Sequence, residues 1–118
     1  MNQEYDQQNV FARIIAGKIP AKKIYEDDSV LCFEDMDKNA EIHWLIIPKG
    51  SYTCFDDFVA KASESEISNF FKTIRKIADQ HGLSEKGYKL VTNNGEGASQ
   101  SVFHFHMHLL SGTGLRHL

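Results

Sequence analysis

His104-Phe105-His106-Met107-His108-Leu109-Leu110 alternates histidine with apolar residues near the end of the chain. Alternate residues of a β-strand point to the same face, so a strand here would carry three imidazoles on one side and apolar side chains on the other. Imidazole changes its charge near neutral pH and can act as a nucleophile, a proton carrier or a metal ligand. Because neighbouring imidazolium groups repel one another, at least one of the three should be neutral at pH 7. The stretch therefore predicts a strand with chemistry on one face.

A loop of small residues comes directly before this stretch and reads Asn93-Asn94-Gly95-Glu96-Gly97-Ala98-Ser99-Gln100-Ser101. Glycine and small hydroxyl residues expose backbone N–H groups and let a ligand approach closely. Such amides, with the side chains of Ser99, Gln100 and Ser101, suit the oxygens of a phosphate. Taken alone, the loop could equally be a flexible hairpin connection. It lacks the lysine of a P-loop, which argues against a nucleoside triphosphatase of that class.

The composition indicates one globular domain. The chain has 118 residues, 42% of them apolar and 25% charged, with a formal net charge of −3. Since there is no lysine and arginine stripe, we expect no nucleic-acid partner. No apolar run approaches the ~20 residues of a membrane span, and the polar first residues are unlike a secretory signal. Cys32 and Cys54 have no metal-site spacing, which favours two reduced thiols, Cys32 in the core, and a cytoplasmic protein.

The pattern of apolar residues predicts an α+β fold. Asn9 should cap a short helix over 10–16 that ends at Gly17. Ser63 and Glu66 form a capping box for a long helix that runs to His81-Gly82. Five strands are predicted, at 23–26, 29–33, 41–48, 88–92 and 103–110. We therefore expect a five-stranded antiparallel meander sheet with two helices on one side.

Several of these segments together resemble one known family. The stretch from His104 to Leu110 matches the signature of the histidine triad (HIT) superfamily. The segments 14–21, 43–49 and 100–103 resemble its Hint branch, the purine nucleoside phosphoramidate hydrolases. The resemblance runs from about Phe11 to Gly112. It implies a single HIT domain over 9–118 after a flexible segment 1–8, and a homodimer whose two sheets join into one of ten strands.

The same resemblance implies an enzyme and assigns its catalytic residues. His106 would attack the α-phosphorus of a nucleoside 5'-phosphoramidate and form a nucleotidyl-histidine, which water then hydrolyses. His108 and Ser101 would contact the phosphate oxygens and help to protonate the leaving amine. His104 would orient the site without reacting. The bound product would be a purine nucleoside monophosphate, AMP or GMP.

The nucleotide-binding residues also follow from the resemblance. Asp35 would accept the ribose hydroxyls, and Met36 would line the base pocket with Phe11 and Phe33. Without the family, Asp35 is a solvated turn carboxylate and His43 a satisfied core histidine. The predicted nucleotide contacts are Asp35, Met36, His43, Asn93, Ser99, Gln100, Ser101, His106 and His108.

Departures from the family pattern bear on cofactors and specificity. Many bacterial relatives bind structural zinc through four residues, and three of those positions here hold Asn9, Ala12 and Ser51, so we expect no metal and no other cofactor. Ser99 and Ser111 replace glycines, and the tail 113–118 is short, so the resemblance does not name the leaving group.

Three alternatives remain open at this stage. Within the superfamily the protein could be a dinucleoside polyphosphate hydrolase. From another class, it could be a metal-binding module, because two histidines at i and i+2 can share one ion. It could also be a nucleotide-binding scaffold without turnover.

Overall fold

The computed structural model describes residues 4–37 and 39–115. The sheet is antiparallel, with the strand order β1-β2-β3-β5-β4. Its strands are β1 (Lys23–Glu26), β2 (Val30–Glu34), β3 (Ile42–Pro48), β4 (Lys89–Val91) and β5 (Met107–Ser111). The helices are α1 (Val10–Ile15), α2 (Phe55–Lys61), α3 (Glu64–Gln80) and α4 (Leu83–Lys86).

The predicted α+β fold with a five-stranded antiparallel sheet is confirmed. The first three strands follow one another as a meander, and Asp27 makes the first turn, where its Oδ1 accepts from the N–H groups of Ser29 and Val30 at 2.8 Å. The chain then passes through α2, α3 and α4 and returns as β4 at the sheet edge. Strand β5 finally inserts between β3 and β4, which places the histidine stretch next to the central strand.

The expectation that the helices lie on one side of the sheet is wrong. Helices α2, α3 and α4 pack on the face that carries Val30 and Cys32, whereas α1 packs on the opposite face, against Leu31 and Phe33. The sequence of β2 is apolar at consecutive positions, Val30 to Phe33, and all four are buried. A strand that is apolar without alternation is buried on both faces, so each face needs a cover.

The long helix follows its sequence signals closely. The Ser63 hydroxyl accepts from the Glu66 N–H at 3.1 Å, as the capping box predicts, and the helix ends before His81. Gly82 follows in the left-handed conformation with a φ of 74°. Helices α2 and α4 were not predicted from the sequence. Each is only one or two turns long and buries a single side chain. Neither therefore has the repeat of apolar residues that identifies a helix in a sequence.

The histidine stretch is paired over a shorter length than the predicted strand 103–110. Strand β5 begins at Met107, so His104 and His106 precede it. Between these two histidines, the Phe105 N–H donates to the Tyr52 carbonyl at 2.7 Å. The two-faced alternation nevertheless persists: Phe105 is fully buried and stacks on Phe58 in the core beneath α2 and α3.

Both cysteines are buried free thiols, and Cys32 lies in the core as expected. Burial raises the pKa of the Cys32 thiol to about 12. Among the described residues, no helix is long and apolar enough to cross a membrane.

The segment before α1 includes residues 1–3, which lie outside the described part of the chain. Of the rest of the predicted flexible segment 1–8, Tyr5 lies against His104 and Gln7 bonds Ser51. The domain boundary at residue 9 stays a prediction.

Candidate functional site

A cavity of about 690 Å³ lies between α1 and the face of the sheet that α1 covers. One end is apolar, and its wall includes Phe11, Ile14, Ile19, Phe33 and Leu45. The other end is polar and includes Asp35, His43, Ser101, His106 and His108. The cavity therefore combines an apolar surface that suits an aromatic base with a cluster of ionisable groups.

His106 sits on the cavity wall with its proton position fixed. Its Nδ1 lies 2.7 Å from the carbonyl oxygen of His104. A carbonyl can only accept, so Nδ1 carries the proton and neutral His106 has its lone pair on Nε2. The Phe11 ring meets the imidazole edge-on at 5.0 Å, and Thr92 donates its hydroxyl to the His106 carbonyl at 2.8 Å. The ring of His106 is therefore held in one orientation, with the lone pair of Nε2 left free of the Nδ1 contact.

His108 belongs to a hydrogen-bonded chain that crosses three neighbouring strands. The Asn39 N–H donates to Nδ1 of His43 at 3.1 Å, so neutral His43 carries its proton on Nε2. That Nε2 lies 2.9 Å from Nδ1 of His108 and 3.2 Å from Oδ2 of Asp35. His108 accepts at Nδ1, and its own proton is on Nε2. His108 therefore presents a donor to the cavity beside the His106 lone pair.

His104 lies behind the cavity and is fully buried. Its Nε2 lies 2.7 Å from the Pro48 carbonyl, to which it must donate, and its Nδ1 lies 2.5 Å from the Tyr5 hydroxyl. In their neutral forms, His104 and His108 thus carry the proton on Nε2, and His106 carries it on Nδ1. Both ring nitrogens of His104 bond protein groups, and its orienting role stays a prediction.

Burial sets the protonation of all three histidines. Desolvation lowers the pKa of His104 to about 4, and it lowers the pKa of His106 below its ordinary value. Desolvation and the neighbouring His106 and His43 also lower the pKa of His108 to about 4. The lowered pKa values favour the neutral form of all three imidazoles at pH 7.

The loop before the histidines contributes Ser101 to the cavity, but its neighbours have other roles. Gln100 is buried; its Oε1 accepts from Gly95 N–H at 2.7 Å, and its Nε2 donates to the carbonyls of Thr53 and Val102 at 2.7 and 2.9 Å. Asn93 donates to the Ala98 carbonyl at 2.7 Å. The contacts of Gln100 use both of its Nε2 hydrogens, so its side chain holds the loop in shape and has no donor left for a phosphate. Asn93 makes one such bond, and its nucleotide contact stays a prediction.

Ser99 has a left-handed backbone, with a φ of 63°, which favours glycine. Its N–H donates to the Glu96 carbonyl at 3.0 Å, and that of Gln100 donates to Gly95 at 3.1 Å, so neither of these amides is the predicted phosphate donor. Among the described residues, the wall of the cavity includes Ser101 but not Asn93, Ser99 or Gln100.

Asp35, His43 and His108 bring their ligand atoms within 4.8 Å of one another, a set that could hold a metal ion. A metal at Nε2 of His43 would displace the proton of that imidazole to Nδ1, where it would face the Asn39 N–H. Two N–H donors, those of Asn39 and of His43 Nδ1, would then face each other. The Asn39 N–H therefore favours a proton, and not a metal ion, on Nε2 of His43. The three triad histidines do not converge either, since both nitrogens of His104 bond protein groups.

Sequence reasoning missed several residues that shape the site. Asn39 fixes the tautomer of His43, Thr92 fixes the carbonyl of His106, and Tyr5 covers His104. Lys22 lies on the cavity wall and forms an ion pair with Glu34 at 3.7 Å. None belongs to a motif, because each acts through a backbone group or a contact between distant segments.

Comparison with known proteins agrees with this geometry. The family model described as the HIT domain matches residues 16–115. The chain belongs to the HIT domain family. An uncharacterized HIT-like protein of Rickettsia prowazekii (strain Madrid E) is 46% identical over 94% of this chain and 92% of its own length. The purine nucleoside phosphoramidase of Escherichia coli (strain K12) is 37% identical over 92% of this chain and 91% of its own.

The fold agrees with solved HIT structures. The crystal structure of a HIT family hydrolase from Legionella pneumophila Philadelphia 1 is similar, with a TM-score of 0.85 and 38% identity. The match covers 92% of this chain and 96% of that one. Asn9 and Ala12 occupy two of the positions where many relatives have zinc ligands. Here the Asn9 side chain caps α1 by accepting from the Ala12 N–H at 2.8 Å. The third, Ser51, accepts from Gln7.

Proposed function

We propose that the protein hydrolyses purine nucleoside 5'-phosphoramidates, of the adenosine 5'-monophosphoramidate type, through a covalent intermediate on His106. The observation that carries the proposal is the His106 imidazole, whose Nδ1 proton is bound to a backbone carbonyl and whose Nε2 lone pair remains for the substrate. The relative of Escherichia coli that is named a purine nucleoside phosphoramidase supports this choice of substrate.

In the first step, Nε2 of His106 forms a bond to the α-phosphorus and the P–N bond to the amine breaks. The departing amine needs a proton. His108 faces the same end of the cavity, and a bound phosphate raises the pKa of its imidazole by favouring the charged form, so His108 can supply that proton through Nε2. The Ser101 hydroxyl on the cavity wall is placed to donate to a phosphate oxygen.

In the second step, water attacks the phosphorus and gives a proton to Nε2 of His108, which lost its proton to the amine, while the bond from phosphorus to Nε2 of His106 breaks. The nucleoside monophosphate leaves with the oxygen of water, His106 returns to its neutral form and His108 is again protonated. Dividing one displacement into two lets the same imidazole serve as nucleophile and then as leaving group. Apart from the substrate and water, both steps use side chains of this chain.

The apolar end of the cavity would hold the purine. Asp35 lies beside the histidines, its Oδ2 3.2 Å from Nε2 of His43 and 4.0 Å from Nδ1 of His108. Its Oδ1 accepts from the Asp37 N–H at 2.8 Å, which fixes the direction of the carboxylate. Met36, at the rim, is 97% exposed and would cover one face of a bound base. We infer that Asp35 binds the ribose hydroxyls, as the resemblance predicted.

Replacing Asp35 with asparagine should raise KM for the nucleotide by about tenfold and leave kcat within a fewfold, because a charge-assisted hydrogen bond to the ribose is lost. Steady-state kinetics with ribose and 2',3'-dideoxyribose substrates tests the assignment. The increase in KM caused by removing the ribose hydroxyls and the increase caused by replacing Asp35 should not add. Additive effects would show that Asp35 acts only on the His43–His108 pair.

A direct comparison of substrates tests the proposed reaction. We expect kcat/KM for adenosine 5'-monophosphoramidate to exceed that for a dinucleoside polyphosphate by at least about a hundredfold. Faster cleavage of the polyphosphate would establish the alternative hydrolase. AMP binding with no turnover of either substrate would identify a nucleotide-binding scaffold.

We also propose that two copies form a homodimer, with AMP or GMP and their conjugates as small-molecule partners in the cytoplasm. Both sheet faces carry helices, and Leu90 on the edge strand β4 is 39% exposed. An exposed apolar edge strand invites pairing with a second copy.

A further inference from the structure

The segment before α1 places an aromatic residue against the triad. Tyr5 lies with its ring edge-on to the His104 imidazole, the two centroids 5.5 Å apart, and its hydroxyl oxygen is 2.5 Å from Nδ1. No other part of the proposed reaction uses Tyr5.

The direction of this hydrogen bond follows from the other side of the ring. Nε2 of His104 faces the Pro48 carbonyl at 2.7 Å and must donate, so Nδ1 of the neutral imidazole has only a lone pair. The Tyr5 hydroxyl therefore donates to Nδ1. His104 is fully buried, and a buried acceptor that loses its donor is strongly disfavoured. Tyr5 thus favours one tautomer of His104, the one that bonds Pro48.

The position of the His104 imidazole affects the orientation of His106 through the backbone. The His104 carbonyl accepts the Nδ1 proton of His106, yet His104 and His106 lie outside the ladder of β5. The peptide between them is held by the Phe105 N–H on Tyr52 and by the His104 imidazole on Pro48. Without the Tyr5 hydroxyl, the imidazole of His104 is held at one nitrogen only, so the ring and the carbonyl that orients His106 are free to shift.

We propose that Tyr5 is a positioning residue for the His106 nucleophile, acting through the position of the His104 imidazole, which Tyr5 and Pro48 hold at its two nitrogens. The inference rests on the proposed function for its kinetic part, since His106 must react for its orientation to matter. The hydrogen bond from Tyr5 to His104 can be observed without any turnover.

The test compares Tyr5→Phe with the wild type. Removing the hydroxyl should lower kcat for adenosine 5'-monophosphoramidate about tenfold and change KM less than twofold, because the nucleotide pocket is untouched. In ¹⁵N NMR spectra of the free protein, the Nδ1 shift of wild-type His104 should be that of a nitrogen that accepts a hydrogen bond. In the variant it should move toward that of a nitrogen without a donor, while Nε2 keeps its proton on Pro48 in both.

Two matched variants serve as controls. Tyr25→Phe removes another tyrosine hydroxyl, one that donates to Asp27 in the β1–β2 turn, and Gln7→Ala removes the contact of the same segment with Ser51. Both should keep the wild-type kcat and the wild-type Nδ1 shift of His104. A Tyr5→Phe variant with wild-type kcat, or with the wild-type Nδ1 shift, would overturn the proposal.

The two inferences fail in different ways. If the wild type turns over no nucleotide, the proposed function is wrong, while the NMR comparison still decides whether the Tyr5 hydroxyl donates to His104. A wild-type spectrum with Nδ1–H on His104 would overturn the role of Tyr5 even if Tyr5→Phe failed to fold.

Discussion

His106→Ala should lower turnover of adenosine 5'-monophosphoramidate on the order of 10⁴-fold or more, because no other group supplies the covalent step. The affinity for AMP should change little, since the apolar end of the cavity and Asp35 are unaffected. Rapid quenching of the wild type with substrate labelled in the nucleotide should trap the label on protein, and the variant should trap none.

His81→Ala provides the matched control. His81 bonds the Ile77 carbonyl near the end of α3 and meets Trp44, so it is a histidine outside the cavity. Its replacement should leave kcat and the trapped label at the wild-type level. Label found on His104 or His108 would contradict the assignment of the nucleophile.

Lowering the pH from 7 to 5 should decrease the free energy of unfolding by about 2 kcal/mol through His104 alone. The pKa of His104 is about 4 in the folded protein and near 6.5 when the chain is unfolded. Below pH 6.5 the unfolded state binds a proton that the folded state does not, so stability is present above that pH and is lost as the pH falls toward 4. Urea unfolding at a series of pH values measures the change.

Two measurements separate His104 from the other groups. His104→Gln, if folded by circular dichroism, should have a weaker dependence of stability on pH between 7 and 5. An NMR titration of the wild type should show no protonation of His104 above pH 5. A His104 that titrates near 6.5 in the folded protein would make this prediction wrong.

Much of the fold could be predicted because its signals are local. Alternation in the stretch from His104 to Leu110 predicts a segment with two different faces, and this holds even where the ladder is absent. The capping box at Ser63 and the apolar period after it predict α3. Helix α1 was also predicted, but not the face on which it packs, since a helix of six residues says nothing about the side of the sheet it covers.

The fine geometry of the site depends on pairs that are distant in sequence. Tyr5 and His104 are 99 positions apart, and His43 and His108 are 65 apart. The type of each residue limits what it can do, but the proton on each imidazole is set by its partner. Gln100 illustrates the difference: its sequence context suggested a phosphate contact, whereas its amide bonds the backbone of Gly95, Val102 and the distant Thr53.

The two buried thiols have a practical consequence for chemical labelling. A thiol reagent attacks through the thiolate, and at neutral pH Cys32 has almost none of this form, because its pKa is about 12. Cys54 is fully enclosed, so a reagent in water does not reach it while the chain is folded. A cysteine introduced at the rim, as in Met36→Cys, would thus carry a dye at one chosen position. Its fluorescence could report when a nucleotide enters or leaves the cavity.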